Sequence, residues 1–217
     1  MPETMRDTAV LHRVKQGYTT GARSLASRSV VGLARTRITP NALTTAGVSL
    51  CLAASVVVFF ESRNTWLFYW LGAILFFVGS ILDILDGALA RAGGKSTPFG
   101  AFLDSTTDRV GEGAMLAAIG LVLAREGNDI AVVFTVVAVA GSFLVPYVRA
   151  KAEALGLRGD VGIGSRAERV VVITAGLVLA PLSIWLLVGA ISLLTATAWL
   201  TVVQRILFVR KQLLERG

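Results

Sequence analysis

Apolar stretches near residues 43–60, 65–90, 101–124, 130–148 and 170–204 take up most of the chain, and each is close to or beyond the length that a helix needs to cross a bilayer. A hydrocarbon core of about 30 Å requires roughly 20 residues per helical span. The last stretch is too long for one span, and Pro181 followed by Leu182 and Ser183 offers a turn inside it. Two short spans are therefore expected there, and six in all. Of the 217 residues 54% are hydrophobic and 16% charged, and the mean hydropathy is +0.71, well outside the range of a soluble domain of this size. The expected fold is all-α: a polytopic membrane protein with six transmembrane helices and an N-terminal amphipathic surface helix.

The formal charge of +7 is unevenly spread. Seven Lys or Arg precede residue 40, two lie at 91–95, five between 149 and 169, and four between 205 and 216, whereas the alternate loops carry only Arg63 and Arg125. By the positive-inside rule both termini and the 91–100 and 149–169 loops are cytoplasmic, which also requires an even number of spans. Residues 8–36 mix Arg and Lys with Val, Leu and Ala, and read as an amphipathic helix on the cytoplasmic face. These basic residues abut a span, so nucleic-acid binding is a poor account of them. Residues 1–38 are thus expected to form a juxtamembrane segment, and residues 39–217 a transmembrane domain. The first forty residues hold no apolar core followed by a small-residue cleavage site, so no cleavable signal peptide is expected. Cys51, the only cysteine, excludes an intramolecular disulfide and a two-cysteine metal site, and reads as a small core residue. His12, the only histidine, lies in the surface segment, away from any catalytic group.

Against this background DILDGALARAGGKSTPFGAFLDSTTDR (83–109) is anomalous, because it sets Asp83, Asp86, Asp104 and Asp108 between two apolar runs. A carboxylate in hydrocarbon costs several kcal/mol unless it is paired, faces a polar cavity or binds a cation. Asp83 and Asp86 are three residues apart and Asp104 and Asp108 four apart, so each pair shares a helical face. If one span ends near Arg91 and the next begins near Gly100, Asp83 and Asp108 lie about 12 Å inside the cytoplasmic boundary, with Asp86 and Asp104 nearer the surface. Two antiparallel helices would then bring four carboxylates to one place, where their repulsion demands cations. Oxygen ligands without His or Cys suit Mg²⁺ or Mn²⁺, and a pair of such ions is a recurring clamp for a phosphoryl group. A site at the cytoplasmic membrane surface implies a substrate with a phosphate head and a lipid tail. Gly87 and Ala90 leave one helix face bare, either for a bulky ligand or for helix packing. Arg91 either snorkels or grips a phosphate.

The full spacing, D-x2-D-G-x2-A-R-x8-G-x3-D-x3-D, is carried by Asp83, Asp86, Gly87, Ala90, Arg91, Gly100, Asp104 and Asp108. It resembles the signature of the CDP-alcohol phosphotransferase family of membrane enzymes at every fixed position. The resemblance implies transfer of a substituted phosphate from a CDP-linked lipid to the hydroxyl of a second alcohol, with release of CMP. It implies two divalent ions, Mg²⁺ or Mn²⁺, held by Asp83, Asp86, Asp104 and Asp108, with Asp108 also acting as general base. Gly87, Ala90 and Gly100 would leave room for the nucleotide, Arg91 would contact its diphosphate, and Thr97 would add a hydroxyl. Upstream, Thr39-Pro40-Asn41-Ala42-Leu43-Thr44 resembles the opening of the first span in these enzymes, where Asn41 and Thr44 would touch the nucleotide. The family also implies a homodimer in the cell membrane with its active site on the cytoplasmic side.

The signature does not name the acceptor. The segment RAKAEALGLRGDVGIGSRAER (149–169), with Gln204 and Arg205 further on, resembles the actinobacterial phosphatidylinositol phosphate synthases of that family. An acceptor that carries its own phosphate, such as inositol phosphate, needs a cationic pocket, and the candidates are Arg149, Arg166, Arg169 and Arg205. Arg149 stands where the resemblance leads one to expect lysine, and Pro146 where it leads one to expect serine. CDP-diacylglycerol and inositol phosphate are the substrates so implied. Glycerol 3-phosphate, which would make the enzyme a phosphatidylglycerol phosphate synthase, is the alternative acceptor, and a divalent cation transporter is the alternative of a different class. Glu112, one turn after Asp108 and next to Gly111 and Gly113, is expected to balance a pocket arginine or to form a structural salt bridge.

Overall fold

Helices begin where the chain supplies caps. A computed structural model describes residues 39–92 and 97–216, with the side chains of Arg91 and Ala92 left undescribed. The surface helix expected over 8–36, and His12 within it, lie outside those residues. Among the described residues the fold is all-helical, with no strand. Helix α1 (Pro40–Phe59) and helix α3 (Pro98–Arg125) open in the same way: the hydroxyl of Thr39 or Thr97 accepts a backbone N–H of the first turn, from Ala42 or Gly100, and proline follows at once. Proline lacks a donor that the first turn would leave unpaired anyway. Between them α2 (Thr65–Ala92) descends after a short 3₁₀ turn, Glu61–Arg63. Asn128 caps α4 (Asp129–Ala154), and Ser165 caps α5 (Arg166–Leu179) in a capping box with Glu168. The long apolar run breaks around Pro181, and Ser183 then caps α6 (Ile184–Leu214).

Four of these helices, α1, α2 up to residue 90, α4 and α6, are long and apolar enough to cross a membrane. The other two differ for physical reasons. Helix α5 has 14 residues, about 21 Å of rise, and α3 carries Asp104, Asp108, Arg109 and Glu112 before its apolar second half. Of these polar groups Glu112 is buried and paired with Arg169 of α5, while Asp104, Asp108 and Arg109 are half-buried. The second half of α3 is the centre of the apolar core: Met115, Leu116, Ile119, Val122 and Leu123 meet Ala54 and Val58 of α1, Phe76 of α2, Ile173 of α5 and Ile191 of α6. Large apolar side chains such as Trp66, Ile74, Val136, Trp185 and Leu207 are exposed along the outside, as a lipid-facing surface requires. Helices α1 and α2 cross closely at Gly47 and Gly79, where a Cβ on either residue would come within 3 Å of the other's carbonyl oxygen.

Candidate active site

That close crossing sets the geometry of the acids. Asp83 and Asp86 project from the last turns of α2, both buried, at 4% and 2% exposure. Opposite them α3 presents Asp104 and Asp108 one turn apart. Carboxylate oxygens of Asp83, Asp104 and Asp108 lie within 4.8 Å of one another. The expectation that all four acids point to one spot needs amendment, because Asp86 turns toward α1 and accepts a hydrogen bond from the Thr44 hydroxyl. Residues three apart on a helix are offset by about 60°, enough for Asp83 to face α3 and α5 while Asp86 faces α1. The other oxygen of Asp86, Oδ1, is buried with no hydrogen-bond partner among the described residues. A buried carboxylate oxygen left bare is costly. Together with a donor set made only of carboxylates, it fits a hard divalent cation such as Mg²⁺ or Mn²⁺.

Beside the acids lies a cleft of about 300 Å³. Its walls come from the start of α1 (Thr39, Pro40, Asn41, Thr44), the end of α2 (Asp86, Gly87, Ala90) and the start of α3 (Thr97, Gly100, Ala101, Asp104). Six of the seven residues expected at a nucleotide, Asn41, Thr44, Gly87, Ala90, Thr97 and Gly100, are therefore in one wall system. Arg91 is helical, but its side chain is not described. Asp86 and Asp104 belong to the cleft as well, so acids and cleft share a border. The Thr97 hydroxyl already accepts the Gly100 N–H at 3.0 Å, which makes it a helix cap first. Thr39, Pro40 and Ala101 also line the cleft; their adjacency to residues already singled out was the available signal.

The four arginines are used in four ways. Arg166, the first residue of α5, reaches across to the acids and pairs with Asp83 and, at 2.6 Å, with Asp108. Arg169, 6% exposed, grips Glu112 through two bonds of 2.7 and 2.8 Å and donates a third to the Gly164 carbonyl. Glu112 thus has its partner on α5, not in its sequence neighbour Arg109. Arg205 of α6 is buried and donates to the carbonyls of Val161 and Val145. Arg149 is exposed and pairs with Glu153 one turn along the same helix, at 2.8 Å. Spacing alone did not disclose the contact of Arg166 with the acids, which joins segments 83 residues apart. Cys51 is buried behind the acids, 4.0 Å from the Ser80 hydroxyl.

Comparison with known proteins places the chain in a family. Residues 37–207 match the family model described as CDP-alcohol phosphatidyltransferase. The phosphatidylinositol phosphate synthase of Mycolicibacterium smegmatis is 36% identical over 182 residues, which cover 81% of this chain and 79% of that protein. A crystal structure of the Mycobacterium tuberculosis phosphatidylinositol phosphate synthase with CDP-DAG bound superposes with a TM-score of 0.74 at 29% identity, covering 86% of this chain and 94% of the other. The same mycobacterial protein in complex with manganese and citrate gives 0.74 at 30% identity, covering 85% and 88%.

Proposed function

Because the chain belongs to the CDP-alcohol phosphatidyltransferase family of membrane enzymes of phospholipid biosynthesis, we propose that it transfers the phosphatidyl group of CDP-diacylglycerol to a hydroxyl of inositol phosphate, giving phosphatidylinositol phosphate and CMP. Family membership sets aside the transporter reading. The observation that carries the proposal is the shared border: a cleft of nucleotide size opens on one side of the acids, and an arginine from α5 arrives on the other. The donor lipid's cytidine occupies the cleft among Asn41, Thr44, Gly87, Ala90, Thr97 and Gly100, with Arg91 on the diphosphate. Asp83, Asp86, Asp104 and Asp108 hold two divalent ions, Mg²⁺ or Mn²⁺. The chemistry supplied by such ions is neutralisation of the pyrophosphate and of the departing CMP. Asp108 accepts the proton of the attacking hydroxyl, whose oxygen forms a bond to the β-phosphorus, on the diacylglycerol side, as the bond from that phosphorus to the CMP oxygen breaks.

Arg166 binds the acceptor's phosphate within a cationic surround completed by Arg149, Arg169 and Arg205, since a guanidinium offers a phosphate two parallel donors. Similarity to phosphatidylinositol phosphate synthases supports a phosphorylated polyol. In this reading residues 39–217 form one six-span domain in the cell membrane, with α3 and α5 crossing under the cover of their neighbours. Both termini and the active site face the cytoplasm, residues 1–38 lie on the membrane surface, and two chains associate as a homodimer. The test supplies CDP-diacylglycerol, Mg²⁺ and labelled inositol phosphate, free inositol or glycerol 3-phosphate, and follows label into lipid. Incorporation from inositol phosphate is expected. Incorporation from free inositol alone would overturn the acceptor, and incorporation from glycerol 3-phosphate alone would make the enzyme a phosphatidylglycerol phosphate synthase.

A further inference from the structure

The loop 155–165 between α4 and α5 has no regular structure, and it includes Gly156, Gly159, Gly162 and Gly164. Such a segment holds one conformation only if something outside it fixes the backbone, because glycine has the most conformational freedom to lose. The partners come from one stripe of α6. The Gln212 side chain makes a two-point contact with Arg158, accepting its N–H at 3.0 Å and donating to its C=O at 2.8 Å. Arg205 Nε donates to the Val161 carbonyl at 2.8 Å. Buried Thr201 accepts the Gly164 N–H at 2.7 Å while donating to the Thr197 carbonyl. Residues 201, 205 and 212 are spaced by four and seven, so they share a helical face. The approach is close: a Cβ at Gly162, where φ is +110°, would sit 2.5 Å from Thr201 Cγ2, and one at Gly164 would sit 2.8 Å from its hydroxyl.

The Gly164 peptide is held from both sides, its N–H by Thr201 and its carbonyl by Arg169. Ser165 follows as the cap of α5, and Arg166, the next residue, reaches Asp83 and Asp108. We infer that Thr201 and Gln212 are positioning residues for the acceptor: the α6 stripe sets the register of the 155–165 loop and so the place of the Arg166 guanidinium. The inference rests on the reading of Arg166 as the acceptor's phosphate ligand. Neither side chain lies among the acids or lines the cleft at the nucleotide residues, so the donor lipid should not sense their loss.

The experiment uses full-length protein in lipid nanodiscs and measures initial rates against each substrate for the wild type, Gln212→Met, Thr201→Val and Thr201→Ser. Gln212→Met keeps length and removes both hydrogen bonds; Thr201→Val keeps shape and removes the hydroxyl. Displacing a binding group by about 1 Å costs up to about a hundredfold. Each of these two variants is expected to raise the acceptor KM about tenfold, with kcat and the CDP-diacylglycerol KM within about twofold of wild type, while Thr201→Ser restores the wild-type value. Acceptor KM values within about twofold of wild type, a parallel rise in the donor KM, or a Thr201→Ser defect as large as that of Thr201→Val would overturn the inference. Should Thr201→Val fail to fold, Gln212→Met, near the end of α6 and outside the apolar core, decides alone. The wild-type rates on the three acceptors judge the acceptor assignment separately, and the variants are compared on whichever acceptor the wild type uses.

Discussion

The acid side and the arginine side of this site are built on opposite plans. The acids and the cleft come from residues 39–108, three consecutive helices whose polar groups recur at intervals of three and four. The arginines come from α4, α5 and α6, and three of the four are placed by partners far away in sequence: Arg166 by Asp83 and Asp108, Arg169 by Glu112, Arg205 by Val145 and Val161, whereas Arg149 pairs one turn along its own helix. Local periodicity is enough to place a carboxylate at a helix face. A guanidinium at the end of a long side chain goes where its partners are, and only the packing of distant segments decides that.

The sharpest way to break the comparison is on the acid side. Asp108→Asn keeps the size of the side chain and removes the base, so turnover should fall by about a thousandfold or more, while CDP-diacylglycerol still binds in a direct binding assay. Substantial residual turnover would move the proton to another group. Next in size is Arg166→Gln, which tests where the two sides meet. Losing a charged hydrogen-bonding pair costs about 1.5–3 kcal/mol, so kcat/KM for the acceptor should drop about 10- to 100-fold. The same change removes a guanidinium from the oxygens that a cation would use, so Mn²⁺ affinity, followed by electron paramagnetic resonance, should rise severalfold. Weaker Mn²⁺ binding would mean that Arg166 assists the ion and does not compete with it. The smallest effect belongs to Arg149→Ala. Its pair with Glu153 is exposed and worth at most about 1 kcal/mol, so the thermal midpoint should hardly change, and acceptor KM, losing one exposed charge of the cationic surround, should rise by no more than about fivefold.

Several features were legible before any coordinates. The opening of α1 at Thr39-Pro40 falls where the resemblance put the start of the first span. The turn around Pro181 follows from the loss of a backbone donor. The two aspartate pairs straddle a short connection, which is why three of the four acids converge. The divergence of Asp86 was not legible, since it depends on how closely α1 approaches α2 at Gly47 and Gly79, and a single helix carries no record of its neighbour's distance. The same holds for α3 and α5, which fall outside the four helices that are long and apolar enough to cross a membrane. Helix α3 buries its apolar second half and leaves Asp104, Asp108 and Arg109 half-buried at the site, and α5 is short because the chain turns early.

By itself the amino-acid sequence determined an all-helical membrane protein and the end of the helices at which acids gather, and its resemblance to a known family pointed to the enzyme and to six of the residues that border the cleft. The first two follow from spacing along single helices, where a rise of about 1.5 Å per residue fixes depth and face. Only the tertiary structure decided that Thr44 takes Asp86, that Glu112 takes Arg169, and that one stripe of α6 holds the loop leading to Arg166. Those pairings join residues 42 to 57 positions apart, and 37 to 54 for the loop. Over such separations a side chain's partner is set by which helices pack together, and no repeat along the chain encodes it.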